Sequence, residues 1–301
     1  MALVSVIMTI LKDISLGVHY FEIAMQLRES IFINGLLWGI ECWYNLTDSE
    51  IEELQLIDRI LLRQILQVPY STPSIYLYQE MGVTDLKRII QARRIMFLWY
   101  ILTRKEDDLL LRFFKAQCRK PSKNDWCQTV RKDLEELEIE EDFDQLKKYS
   151  KDHLSKLVRE AYKSKAFEDL LLKQENYSKG RNLMYGELKM RRYLKTRSLS
   201  KEQASLAFRL RTRMVSGIKA NFRNSFKDDM SCQFCSSGAE DNQEHLIVCS
   251  SLNNDNITVQ EYRTVFGSDE EKIATVTKKI EKILQHRKEL QEINAARMST
   301  Q

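Results

Sequence analysis

Apolar residues recur at three- and four-residue steps through most of this chain, the period of an amphipathic helix. In TDSEIEELQLIDRILLRQIL, residues 47–66, Ile51, Leu54, Ile57, Leu61 and Ile65 form one stripe, with Glu52, Glu53 and Asp58 assigned to the opposite side. Thr47 and Glu50 have the spacing of a capping box at its start. Pro69 and Pro73 then break the pattern, which predicts a connector through VPYSTPS. A short helix follows, stopped by Gly82 in a left-handed conformation, with Thr84 expected to cap the next one. That helix, TDLKRIIQARRIMFLWYILTR, is apolar from Ile95 to Tyr100 and is expected to sit at the centre of the core.

The same period returns near the C-terminus. GSDEEKIATVTKKIEKILQHRKELQEI opens on a predicted capping box, Ser268 with Glu271, and carries Ile273, Val276, Ile280, Ile283 and Leu290, with Arg287 at one seam position. Fewer than four clean heptads make a weak coiled-coil signal, so a closing helix that packs on its own domain is the other reading. Composition supports a helical chain throughout. Only 3 Pro and 9 Gly occur in 301 residues, too few for many tight turns and hairpins, and the fold class expected is all-α. A hydrophobic content of 43% with 30% charged residues points to a globular, soluble chain. No apolar run reaches the length of a membrane span, and the opening MALVSVIMTILK lacks the basic start and cleavage site of a signal peptide, so it reads as mature sequence. Six cysteines are too few for a disulfide framework in a chain this long, which favours a reducing, intracellular compartment, nucleus or cytoplasm.

Charge is segregated. DLEELEIEEDFD, residues 133–144, holds eight carboxylates and reads as a solvated helix face to which no chemistry is assigned. From Lys179 to Lys227 the sign reverses, with 14 Lys or Arg against Glu187 and Glu202. This window carries +12 while the whole chain is only +4. Lys189, Arg191, Arg192, Lys195, Arg197, Arg209, Arg211, Arg213, Lys219 and Arg223 are its candidate phosphate contacts, read as sequence-independent. Met190, Tyr193 and Leu194 interleave with the first of them, so a buried face and a basic face can coexist, and Ser200 with Gln203 predicts a capped helix through ASLAFRLRTRM. On that helix Arg209 and Arg213 share a face and Arg211 points elsewhere. The alternative is that these cations pair with the acidic helices before them.

Directly after the basic window, CQFCSSGAEDNQEHLIVC sets out Cys232, Cys235, His245 and Cys249 as Cys-x2-Cys-x9-His-x3-Cys. Thiolate and imidazole suit a tetrahedral Zn²⁺, the two-residue gap lets one turn grip the ion, and His245 and Cys249 lie four apart on one helical face. Four protein ligands leave no open position, so the site is structural and not hydrolytic. The competing reading is three small buried hydrophobes. Phe234, between the first two cysteines, can stack on a base or cover the metal. Cys42, Cys118 and Cys127 have no histidine nearby in sequence and read as core or surface residues. FKDD, at Phe226 to Asp229, has the aromatic-x-Asp-Asp form of a polymerase metal site, but its flanks are polar where a hydrophobic hairpin is required, and it is set aside.

Several of these stretches together resemble the carboxy-terminal part of a non-LTR (LINE-type) retrotransposon reverse transcriptase. The likeness runs from about residue 5 to about residue 265. It is carried by Leu27-Arg28-Glu29-Ser30, Glu41-x-Trp43, PSKNDW at 121–126, LRTRMVSGIKANFR and the Cys-Cys-His-Cys cluster. The resemblance implies thumb-like helices over roughly 20–105, a helical linker and a knuckle at about 230–250; with the charge and periodicity readings above, the expected division is a thumb-like helical region over 1–105, a helical linker with the acidic stretch over 106–178, a basic helical segment over 179–229, a zinc knuckle over 230–252 and a C-terminal helix over 253–301. The resemblance further implies RNA, an RNA–DNA hybrid or a DNA duplex as partner, and the lack of a long apolar run adds the expectation of no membrane. Fingers, palm and catalytic aspartates are absent, so this chain alone is expected to be no polymerase. The alternative function is a helical protein-interaction scaffold, or a host-retained remnant, with a structural zinc.

Overall fold

The structure is a computed structural model that describes residues 2–13, 19–122, 125–139, 142–177, 183, 185–221, 229–254 and 256–299. It is 68% helical and, among the described residues, contains no sheet; one isolated antiparallel bridge joins Ser231 to Glu240. The all-α expectation is met. Helices α1 (Ala2–Asp13) and α2 (Tyr20–Leu27) lead the chain. A π-helical turn at Arg28–Ile33 follows, then α3 (Asn34–Leu36), α4 (Asp48–Leu66), α5 (Ser74–Met81) and α6 (Leu86–Leu102). Next come α7 (Leu109–Arg119), α8 (Trp126–Glu136), α9 (Phe143–Leu146) and the long α10 (Lys151–Gln174). The C-terminal third holds α11 (Lys201–Arg211), α12 (Gln243–Val248), α13 (Val259–Arg263) and α14 (Glu270–Ser299).

Three apolar clusters form the interior. The first joins α1, α2, α4 and α5 to Ala166 and Leu170 of α10, to Tyr193 and Leu194, and to Phe208 of α11. The second lies between the rear of α6, α7, α8 and the front of α10, around Ile95, Leu98, Val130, Leu134 and Leu154. The third gathers Leu206 and Leu210 of α11, Leu246 and Ile247 of α12, Tyr262 of α13, and Val276, Ile280 and Ile283 of α14. Helices α6 and α11 each contribute to two clusters, Leu86 and Ile90 to the first against Ile95 and Leu98 to the second, and Ala207 and Phe208 to the first against Leu206 and Leu210 to the third. A helix apolar on two faces ties neighbouring cores together. The expected central position of α6 is therefore observed. The C-terminal helix packs back on α11 within its own chain, which decides between the two readings of its heptads.

Local signals hold where the geometry is short-range. Both capping boxes, Thr47 with Glu50 and Ser200 with Gln203, form as expected. Gly82 ends α5 at φ 65°, and a Cβ there would lie 2.0 Å from the backbone nitrogen of Met190, so only glycine allows this approach. Two caps slip by one residue. Asp85, not Thr84, accepts the Arg88 amide at the start of α6, and Asp269, not Ser268, accepts the Lys272 amide at the start of α14. Asp outranks Thr as a cap, whereas Asp and Ser are equivalent, so at α14 the position of the preceding turn makes the choice. Asp58 is corrected outright: it is fully buried, not on the polar face, and its two carboxylate oxygens receive Arg28 Nε and Nη2 at 2.7 Å each. The acidic stretch is only partly a solvated face, since Asp133 is buried against Arg94 at 2.6 and 3.1 Å. A lone interior carboxylate is prohibitive, and a bidentate guanidinium is what makes each tolerable.

Candidate metal centre and basic cavity

Residues 230–241 fold back on themselves as a minimal hairpin. Cys232 donates its amide to Ala239 O at 2.8 Å and Asp241 donates to Met230 O at 2.8 Å. Gly238 turns the chain at φ 67°, a left-handed conformation that glycine adopts without strain. The turn carries Cys232 and Cys235, and the Phe234 amide points at the Cys232 sulfur, 3.5 Å away. Helix α12 supplies the other half. Asn242 caps it by accepting the His245 amide at 2.7 Å, and Cys249 closes it by donating to His245 O at 2.8 Å, so both ligand side chains leave one face.

The four ligand atoms, three Sγ and one imidazole nitrogen, lie within 4.8 Å of one another and can hold a metal ion. Cys235 Sγ is 3.3 Å from His245 Nε2. Cys232, His245 and Cys249 are buried, while Cys235 keeps partial exposure. Hydrogen bonding with Ser237, aided by His245 and Cys249, holds the Cys235 thiol down at about 6, and burial pushes Cys249 up to about 11.

This knuckle is seated in the third apolar cluster. Arg287 of α14, the seam residue, is buried and reaches Asp241 with Nη1 at 2.9 Å and Nη2 at 2.6 Å, also donating from Nη2 to Gly217 O at 2.6 Å. Its guanidinium lies over the Phe234 ring, 4.6 Å from the centroid. Phe234 therefore has one ring face covered by an intramolecular cation.

The basic window divides. Lys189, Arg192, Lys195 and Arg197 are exposed. Lys189 bridges to Glu187 at 2.7 Å, and Lys195 lies 3.9 Å from Glu22. Arg191 is half-buried, stacked on Tyr185 at 4.4 Å, and donates to Glu187 O. Arg209 is half-buried, and burial lowers its pKa. Arg213 bonds Glu244 at 2.6 Å and Lys219 bonds Asp229 at 3.1 Å, both within the chain. Arg211 is a correction. It is buried, with Nε on Glu80 at 3.1 and 3.2 Å and Nη1 on Val265 O and Gly267 O at 2.5 and 2.8 Å, so those donors serve the fold and not a ligand. Glu80, itself fully buried, also accepts the Tyr185 and Tyr193 hydroxyls at 2.6 and 2.8 Å. Arg223, together with most of the FKDD stretch, lies outside the described residues. Asp229 alone of FKDD is described, exposed and held down to about 2 by hydrogen bonds from Ser231.

Lys163, Lys189, Arg191, Arg192, Lys195 and Arg211 line one cavity of about 830 Å³, with Glu29 and Glu187 the carboxylates facing them. With Arg211 neutralised by Glu80, five cations against two carboxylates still make it an anion-attracting space. Lys163, on α10, carried no signal in the sequence because it sits outside the basic window. The resemblance markers meet elsewhere: Trp126 Nε1 donates to Glu41 O at 2.8 Å and Arg94 Nη1 to Trp43 O at 3.2 Å, so both act as structural joints. No helix among the described residues is long and apolar enough to cross a membrane. Comparisons with family models, with curated proteins and with solved structures return no match.

Proposed function

We propose that this chain binds the phosphate backbone of nucleic acid through the basic cavity and its rim, beside a structural Zn²⁺ knuckle. The observation that carries the reading is the convergence of Lys163 with Lys189, Arg191, Arg192 and Lys195 from separate segments on one cavity. Phosphate oxygens are the ligands such a cluster recognises without sequence preference. Zinc is favoured for the knuckle by its donors. Tetrahedral Zn–S of about 2.3 Å and Zn–N of about 2.0–2.1 Å set ligand atoms roughly 3.4–3.8 Å apart. The present spread of up to 4.8 Å closes to that with small side-chain shifts. On the resemblance drawn above, the chain corresponds to the thumb, linker and knuckle of a non-LTR reverse transcriptase, without the palm and without polymerase activity of its own.

A second reading, a helical interaction scaffold, draws on one observation: Arg211, Arg213 and Lys219 pair with this chain's own Glu80, Glu244 and Asp229. Salt dependence separates the two. For a labelled single-stranded RNA, the log–log slope of affinity against salt is about −0.7 per phosphate contact. Lys189→Glu, Arg192→Glu and Lys195→Glu combined should weaken binding at least tenfold and flatten that slope by about 2. Binding that is weak and flat in the parent, or unchanged in a folded triple variant, overturns the nucleic-acid reading and leaves the scaffold.

A further inference from the structure

Outside the metal centre, among the described residues, two thiols meet at Cys118 and Cys127. Nine residues apart in sequence, their sulfurs lie 2.7 Å apart, nearer to a covalent S–S bond of about 2.05 Å than to an ordinary non-bonded contact. The approach is imposed by anchored helices. Cys118 sits in the last turn of α7, and Cys127 is the second residue of α8. Asp125 caps α8 by accepting the Gln128 amide at 2.8 Å, while Trp126 is fixed by its bond to Glu41 O and by edge-to-face contacts with Phe97 and Phe114 at 5.7 and 5.9 Å.

We propose that Cys118 and Cys127 form an oxidation site at which a hydroperoxide closes a disulfide between α7 and α8. The nucleophile is Cys127. Its sulfur sits at a helix N-terminus, within hydrogen-bonding reach of the Cys118 thiol and of Arg131 one turn along α8, and these hold its pKa down to about 7 although burial opposes it. The Cys127 thiolate attacks the terminal peroxide oxygen; an S–O bond forms, the O–O bond breaks, and the departing hydroxide or alkoxide takes up a proton to become water or an alcohol. The Cys118 sulfur then attacks the sulfenic sulfur. An S–S bond forms, the S–O bond breaks, and the hydroxide leaves as water with the Cys118 proton. Two thiols and one hydroperoxide thus give one disulfide and two molecules of hydroxylic product. Cys127 is buried and Cys118 only partly so, and a small hydroperoxide reaches the pair from the Cys118 side. The sulfurs need only a small closing movement to reach bonding distance.

The knuckle thiols and exposed Cys42 would also meet an oxidant, so the test must resolve sites. The full chain, loaded with zinc, is treated with a small molar excess of hydrogen peroxide, blocked with N-ethylmaleimide, and cleaved with trypsin. Cleavage after Arg119 places the two cysteines on separate peptides unless a bond joins them. We expect a linked pair lighter by two hydrogens than its separate peptides and lost on addition of dithiothreitol, at a dose that leaves Cys42 alkylated. Cys118→Ser should leave Cys127 as a sulfenic acid trapped by dimedone. The proposal fails if both cysteines remain alkylated when Cys42 is already oxidised, or if they are recovered unlinked as sulfinic acids. The parent's peptide map decides the matter even if the serine variant does not fold.

Discussion

Arg287→Ala tests the join between the knuckle and the C-terminal helix. In the parent, Asp241 and Arg287 are both buried, at 0% and 4% exposure, and share two hydrogen bonds of 2.9 and 2.6 Å. Removing the guanidinium leaves the carboxylate accepting from the Lys219 backbone amide at 3.1 Å. It also strips Gly217 O and the Phe234 ring of a partner. Breaking one side of a buried pair typically costs about 3–5 kcal/mol, because the surviving charge stays desolvated. The loss at Gly217 and Phe234 places the expectation in the upper half of that range. Asp241→Ala should cost a similar amount. The double variant should cost little more than either single change, since the second substitution removes the stranded charge, giving a coupling of at least about 2 kcal/mol. Urea unfolding followed by circular dichroism measures all three. The four metal ligands are untouched, so one equivalent of bound metal should persist in each variant. Additive single costs, or a loss below about 1 kcal/mol for Arg287→Ala, would refute the assignment of the pair as an interior lock.

Chelation should release one equivalent of zinc and loosen residues about 230–250 while most far-ultraviolet helical signal survives, because the first and second apolar clusters contain no ligand residue. His245→Ala should do the same, and a wholesale loss of helicity would show the knuckle to be integral to the whole fold. Gly82→Ala should destabilise by at least about 3 kcal/mol, combining a left-handed φ with a backbone clash at Met190. Gly39→Ala, at φ 71° with nothing within 4 Å, should cost only about 1 kcal/mol, and equal costs in thermal unfolding would contradict the clash.

What the sequence makes legible is whatever is decided within four residues. Thr47 with Glu50, Ser200 with Gln203, the stop at Gly82 and the His245–Cys249 face all depend on helical spacing alone, and each stands in the structure. The stripe Ile273, Val276, Ile280 and Ile283 is likewise buried as its period predicts. Carboxylates whose partners lie far away in sequence are not legible. Asp58 reads as a polar-face residue until Arg28, 30 positions earlier, is brought to it, and Glu80 gains its meaning only from Arg211, 131 positions later. Polarity predicts exposure on average, and a distant guanidinium reverses it. The slips from Thr84 to Asp85 and from Ser268 to Asp269 have another cause: two adjacent residues can both cap, and the choice depends on where the preceding turn ends.

The division among the arginines decides how any binding measurement on this chain should be read. Arg28, Arg94, Arg211 and Arg287 each meet a buried carboxylate on a different segment, at Asp58, Asp133, Glu80 and Asp241. Apolar stripes on many similar helices can be satisfied in several registers, whereas a guanidinium held on both oxygens of a buried carboxylate, bidentate at Asp58, Asp133 and Asp241 and through Nε alone at Glu80, is met in only one. Such pairs add little net stability, but losing one partner is costly. Neutralising Arg211 would therefore disturb the fold around the cavity, and any drop it caused in a measured RNA affinity would mimic the loss of a phosphate contact. Lys189, Arg192 and Lys195, exposed at the rim, carry no such burden, because surface pairs like Lys189–Glu187 contribute at most about 1 kcal/mol. A charge effect on affinity that appears at the rim residues while unfolding stability stays constant is attributable to the ligand alone.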